Sequence, residues 1–283
     1  MFLKLFEEIY NAYENELKSK NMIDYTDMVI KAAESINSGN YASNYKLVMI
    51  DEFQDISDSK FNLVKSVLDK NKDAKLFAVG DDFRAINGFA GANIKYIYDF
   101  DKYFKNEGYG AKTNFLTKTF RCNKRIVDYS SMFIQKNPNQ IKKKIVANRD
   151  SKDDAVEIVN YEKESEIFTD IENYLKNEKN KTVYILNRKN SIYFKKELYA
   201  LEIERLKEKL KKQNIILLND TIHGVKGLEA DIVFLIYANK KNIPSENASD
   251  SILNLVSDTI NEYPFAEERR LYYVALTRAK EKV

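Results

Sequence analysis

Leu47-Val48-Met49-Ile50-Asp51-Glu52-Phe53-Gln54-Asp55 is the stretch that decides the fold. Four apolar residues in a row, without alternation, suit a strand buried on both faces, as in a parallel sheet. The run stops on two adjacent carboxylates. Open α/β sheets place their chemistry at the C-terminal ends of their strands. Working outward, Leu76-Phe77-Ala78-Val79 repeats the pattern and ends in Gly80-Asp81-Asp82. Residues 60–68 between the two runs have helical spacing, so the stretch reads as a β-α-β unit.

The rest of the chain has the same texture. Residues 183–186, 215–218 and 232–236 read as strands, and residues 202–212 as a charged helix. Phe2, Leu5, Phe6, Ile9 and Tyr13 recur at helical spacing, so the chain opens on an amphipathic helix, not a signal peptide. A second helix is expected over residues 25–36, before the turn Asn37-Ser38-Gly39-Asn40. Residues 136–153 are polar and basic, with Lys142-Lys143-Lys144 among them. The predicted class is α/β, with parallel sheets flanked by helices. A domain boundary is placed at 118/119.

Composition narrows the function classes. Of the 283 residues, 44% are hydrophobic and 31% charged, an ordinary globular balance and not a disordered one. No apolar run approaches the roughly 20 residues of a membrane span. Cys122 is the only cysteine, which excludes an intrachain disulfide and a cysteine-rich zinc site and fits a cytoplasmic location. Lys and Arg number 46 against 43 Asp and Glu, so a DNA-binding face has to be a local patch.

Five segments carry chemistry. Asp51 suits Mg2+, a hard cation that takes carboxylate oxygen or water. Glu52 suits the orienting of water for attack on a γ-phosphate. The same pair also fits an acidic helix start. In the segment from Gly80 to Ala92, Phe89 fits either stacking on a base or a place in the core. Thr119-Phe120-Arg121 places an arginine at a helix entrance, as a phosphate clamp or a solvated charge. Thr221-Ile222-His223-Gly224-Val225-Lys226-Gly227-Leu228-Glu229 is a flexible basic loop suited to phosphate contacts. His223, the only histidine, fits a structural role as well as a functional one. In Glu267-Glu268-Arg269-Arg270-Leu271-Tyr272-Tyr273-Val274-Ala275-Leu276-Thr277-Arg278-Ala279-Lys280 the arginines keep their charge. Arg278 suits an arginine finger, and the bland alternative is a solvated amphipathic helix.

In order, these segments resemble motifs II to VI of UvrD/Rep-type superfamily 1A DNA helicases, over roughly residues 20–283. The Gly227-to-Asp231 string and Asn242-Ile243-Pro244-Ser245 look most similar to the helicase IV branch. The resemblance implies two RecA-like domains: a partial first domain over 1–118 and a second over 119–283, with little or no 2B insertion. It implies ATP and Mg2+ as cofactors and DNA as partner, with 3′ to 5′ movement on single strands. Its site residues would be Asp51 (Mg2+), Glu52 (catalytic base), and Arg121 and Arg278 (γ-phosphate). Gln54, Asp81, Arg84, Gly227 and Glu229 would line the nucleotide, Glu229 near the ribose. Asn87, Phe89, Thr221, His223 and Lys226 would face DNA or couple it to the nucleotide.

The sequence departs from that pattern. It contains no G-x-x-x-x-G-K-[ST], the loop that cradles phosphates and ligates Mg2+. A fragment is therefore expected, inactive alone, whose missing segment or a partner brings that loop. Because the family usually adds another strand after motif VI, both ends are expected to be truncated. The rival reading is a non-catalytic module that binds single-stranded DNA or a partner. In motif III, Arg84 stands where the family usually has Gln, and Asn87 where it has an aromatic.

Overall fold

The computed structural model describes residues 2–104, 111–151, 154–189, 196–240, 242–245 and 263–283. Met1 and residues 152–153, at the edges of two sequence readings, lie outside the described residues. The chain divides into two compact units: Met1–Gly80 with Phe89–Asn93, and Asp81–Gly88 with Ile94–Val283.

The first unit runs α1 (Phe2–Ser19), α2 (Tyr25–Ser38), β1 (Leu47–Ile50), α3 (Asp58–Lys70) and β2 (Lys75–Ala78). Asp24 starts α2 by accepting a hydrogen bond from Asp27 N, in a capping box. Gly39 ends it in the left-handed region, φ 82°, where a Cβ is penalised. The β-α-β reading holds: β1 and β2 pair in parallel, Leu47 opposite Lys75 through Ile50 opposite Ala78. The expectation of strands covered on both faces does not. Val48, Ile50, Leu76 and Ala78 are half-buried, whereas Leu47, Met49 and Phe77 are exposed. In α1 no residue is buried, and its apolar stripe from Phe2 to Tyr13 lies open.

The second unit contains α4 (Lys95–Tyr98), α5 (Phe100–Phe104), β3 (Lys118–Asn123), α6 (Lys124–Ile134), β4 (Val146–Arg149), α7 (Glu164–Leu175), β5 (Thr182–Asn187), α8 (Lys196–Leu210), β6 (Ile216–Thr221), β7 (Ala230–Leu235), α9 (Ala266–Leu276) and β8 (Ala279–Lys282). Strands β6-β5-β7-β8 form a parallel sheet in that order, and β3 pairs with β4 in parallel. Here the two-faced burial holds. In β5, Val183 and Ile185 pack into a cluster with Ile167, Ile171, Leu175 and Leu206. Tyr184 and Leu186 pack on the opposite face with Ile126, Val233, Leu271 and Val274. Asn123 caps α6 by accepting from Ile126 N at 3.1 Å, which fixes the turn that follows Arg121.

Three strands were not anticipated, and the first of them, β3, covers residues read only as the entrance to a helix. Residues 146–149 lie in the stretch read only as polar and basic, and residues 279–282 overlap the end of the Glu267-to-Lys280 segment, in which no strand was read. Each of these two is only four residues long, mixes apolar with polar side chains, and forms at a sheet margin. No helix among the described residues is long and apolar enough to cross a membrane.

Burial sets the first prediction. Leu186 has no exposed surface, so Leu186→Ala is expected to cost the second unit about 2–5 kcal/mol. Met49→Ala, at a site 68% exposed, is expected to change stability by no more than about 0.5 kcal/mol. Urea unfolding of the two variants reads the difference.

Candidate functional site

The first unit places its carboxylates at the end of β1. Val79 N donates to Ile50 O (2.8 Å), and Phe53 N donates to Val79 O (2.9 Å). These bonds turn the chain sharply after the strand. Glu52 sits at the turn with φ 49°, an unusual backbone state for glutamate. Asp51 Oδ1 accepts from Glu52 N at 2.8 Å. Gln54, almost fully buried, donates from Nε2 to Glu52 Oε2 at 2.5 Å. Gly80 closes the arrangement: a Cβ there would meet Gln54 Oε1 at 3.0 Å and Phe53 Cβ at 3.1 Å. Asp51 is exposed and Glu52 half-buried. No group of three or more His, Cys, Asp or Glu able to hold a metal occurs among the described residues. Two adjacent carboxylates at a strand end suit a cation of the kind held by one or two carboxylates, water and substrate phosphates, as Mg2+ is.

The second unit brings three arginines together. A cavity of about 190 Å3 is lined by Arg84, Arg121 and Arg278, with Asp81, Thr119, Ser130, Ser131, Tyr273 and Thr277 beside them. Arg278 is fully buried. It donates from Nε to Val274 O (2.9 Å), from Nη1 to Leu228 O (3.1 Å) and from Nη2 to Thr277 Oγ1 (3.4 Å). All three acceptors are neutral, and among the described residues no carboxylate pairs with it. Burial first, then repulsion by Arg121 and Arg84, push its guanidinium down to about 10. Arg121 donates from Nε to Glu229 Oε2 at 2.8 Å, and among the described residues its two Nη groups have no protein acceptor. Arg84 pairs through Nε with Asp81 at 3.3 Å. The buried Ser131 Oγ has no hydrogen-bond partner among the described residues. A cavity with a charge excess, an unsatisfied hydroxyl and planar donors is chemically suited to phosphate oxygens.

The loop that carries Asp81 and Arg84 is held by a buried network. Asp82, with no exposed surface, accepts from Lys143 Nζ (2.6 Å), Gln140 Nε2 (2.6 Å) and Ile141 N (2.9 Å). Burial pushes its carboxyl up, and Lys143 opposes that shift. Lys143 Nζ also lies over the Phe83 ring, 4.0 Å from its centroid, and Phe83 meets Tyr273 of α9 edge-on at 5.3 Å. Arg270, on α9 and 2% exposed, donates from Nε to Ala85 O at 2.5 Å. Gln140, Lys143 and Arg270 were not picked out as site residues from the sequence. Lys143 had shown only as one lysine of a basic run.

The residues expected to face DNA are distributed over both units. In the first, Phe89 is 73% exposed, which removes the core alternative. In the second, Asn87 is half-buried on the same loop as Arg84. Thr221 ends β6, and its Oγ1 accepts from Gly224 N at 3.1 Å. Lys226 and His223 are half-buried on the turn that follows, and Gly227 has φ 91°. Burial, then Arg188, push the His223 imidazolium down, while Glu268 pulls it up. Arg188 itself pairs with Glu268 at 2.7 Å. Burial pushes the Cys122 thiol up to about 11, so it is inert as a nucleophile.

Comparison with known proteins agrees with this chemistry. Residues 2–105 match the UvrD/REP helicase N-terminal domain, and residues 195–283 match the UvrD-like helicase C-terminal domain. The chain belongs to the UvrD/Rep helicase family. Over 99% of its length it is 31% identical to DNA helicase IV of Escherichia coli strain K12, covering 39% of that protein. It is 26% identical, again over 99% of its length, to a probable DNA helicase of Mycoplasma pneumoniae, covering 51% of that protein. An ATP-dependent DNA helicase PcrA of Leuconostoc citreum is 28% identical over 51% of the chain, which covers 19% of that relative. The chain thus spans about half or less of the length of these relatives.

Two measurements test the local geometry. Asp82→Ala leaves Lys143 buried beside one carboxylate fewer and is expected to cost about 3–5 kcal/mol, read as a lower melting temperature; Asp128→Ala on the surface of α6 is the control. His223 is expected to titrate below the usual imidazole range, and Arg188→Met to raise that midpoint, both followed by NMR of the ring carbon proton. Because its folded value is lowered, His223 penalises folding as pH falls through the ordinary range; above that range the penalty is absent.

Proposed function

We propose that this chain supplies the catalytic-carboxylate and arginine parts of an ATP-driven 3′ to 5′ DNA translocase or helicase, with a role in DNA repair. The observation that carries the reading is the cavity formed by Arg84, Arg121 and Arg278, whose buried Arg278 has only neutral partners among the described residues. In this reading the three guanidiniums receive the charge that spreads over a phosphoryl group in transfer. Glu52, aligned by Gln54, orients the attacking water. Asp51 holds Mg2+, which when bound neutralises phosphate charge. Glu229 lies by the ribose, and Gln54, Asp81 and Gly227 line the nucleotide. Arg84 supplies a charged contact where relatives of this type carry an amide. Phe89 offers a stacking face to single-stranded DNA, a contact of about 1–3 kcal/mol per base. Thr221, His223, Lys226 and Asn87 meet the DNA backbone or couple it to the nucleotide.

One observation favours a second reading, a module that binds single-stranded DNA or a partner without turnover: these 283 residues contain no G-x-x-x-x-G-K-[ST]. For the same reason the 283 residues alone are expected to leave ATP intact, with or without single-stranded DNA. Preceded by the phosphate-loop segment of DNA helicase IV, they are expected to hydrolyse it. In that chimera, Glu52→Gln is expected to lower kcat by at least about 100-fold, and Arg278→Lys by a similar factor. DNA-stimulated turnover by the unextended chain overturns the need for the loop. An inactive chimera that still binds single-stranded DNA favours the binding module.

A further inference from the structure

Two cavity arginines are held in the same way. Arg84 reaches Asp81 through Nε, on Oδ2, while Lys143 takes Oδ1 of that carboxylate at 2.6 Å. Arg121 reaches Glu229 through Nε, on Oε2, while Lys280 takes Oε1 at 3.0 Å. Each carboxylate is thus divided between an arginine that lines the cavity and a lysine that does not. A carboxylate shared by two cations holds each less firmly than it would hold one alone. Both arginines are engaged through Nε.

We propose that Lys143 and Lys280 are positioning residues: each draws on the carboxylate that holds a cavity arginine, and so sets how readily that arginine turns to an anion in the cavity. The inference rests on the reading of that cavity as a phosphate site. Neither lysine touches the anion. Without Lys280, Glu229 closes fully on Arg121. Without Lys143, Asp81 closes on Arg84, and the buried Asp82 loses its cation.

Inorganic triphosphate is the probe, and its affinity for the full chain is measured by calorimetry. Lys280→Gln is expected to weaken binding by about five-fold or more. In an Arg121→Gln background the same change is expected to do almost nothing, because the arginine through which it acts is gone. Lys280→Arg is expected to restore affinity. Equal loss in both backgrounds overturns the proposal, since it would show only the removal of a distant charge. Lys143→Gln is tested likewise against Arg84→Gln; where it fails to fold, Lys143→Gln with Asp82→Asn removes the buried charge together with its partner. If the unaltered chain binds no triphosphate, the phosphate-site reading fails by itself. The positioning role is then decided by the Arg121 Nε–H signal in NMR. Slower exchange of that proton with water in Lys280→Gln supports the role, and unchanged exchange overturns it.

Discussion

The second unit depends on one buried charge. Asp82 has no exposed surface, and a carboxylate in such a place costs several kcal/mol unless it is paired and hydrogen-bonded. Lys143, Gln140 and the Ile141 amide meet that demand together. The result is geometric as much as energetic. The segment from Asp81 to Gly88 is fastened to the stretch around residue 141 and, through Arg270 and the Ala85 carbonyl, to α9. Ile86, on the same segment, is fully buried in the main cluster with Leu271 and Val274. Arg84 is therefore offered to the cavity from a fixed base, not from a loose loop.

Much of the fold was legible because buried parallel strands write themselves as short apolar runs. Residues 183–186 and 232–236 are of that kind, and the sheet forms where they predict it. The strands at 146–149 and 279–282 were invisible for the opposite reason. Val146-Ala147-Asn148-Arg149 and Ala279-Lys280-Glu281-Lys282 sit at margins, where polar side chains are tolerated and an apolar run stays short or absent. The pattern at 47–50 was misread in one respect. An apolar run states what the strand tolerates, and here Leu47 and Met49 stand exposed.

The site was legible in parts and not in its connections. Asp51 and Glu52 stood out by their place after a strand, and Arg121 and Arg278 by the motifs around them. That Arg84, Arg121 and Arg278 line one cavity is a property of the fold, since they come from a loop, a strand and the end of a helix. Lys143 illustrates the limit. In the run Lys142-Lys143-Lys144 the three residues look alike, but burial alternates along it. Lys142 and Lys144 face solvent, while Lys143 turns inward with Ile141 and Ile145. Only that alternation, unreadable in so polar a stretch, separates the structural lysine from its neighbours.

Arg278 has a wider consequence. Its guanidinium bonds at once to the last turn of α9, through the Val274 carbonyl, and to the loop after β6, through the Leu228 carbonyl. That loop also carries His223 and Lys226. A ligand that shifts the loop alters the energy of the guanidinium, and an anion that draws on the guanidinium alters the loop. Linkage makes the two effects equal in free energy. One buried side chain thus gives the loop and the cavity a common thermodynamic account of each other's occupancy.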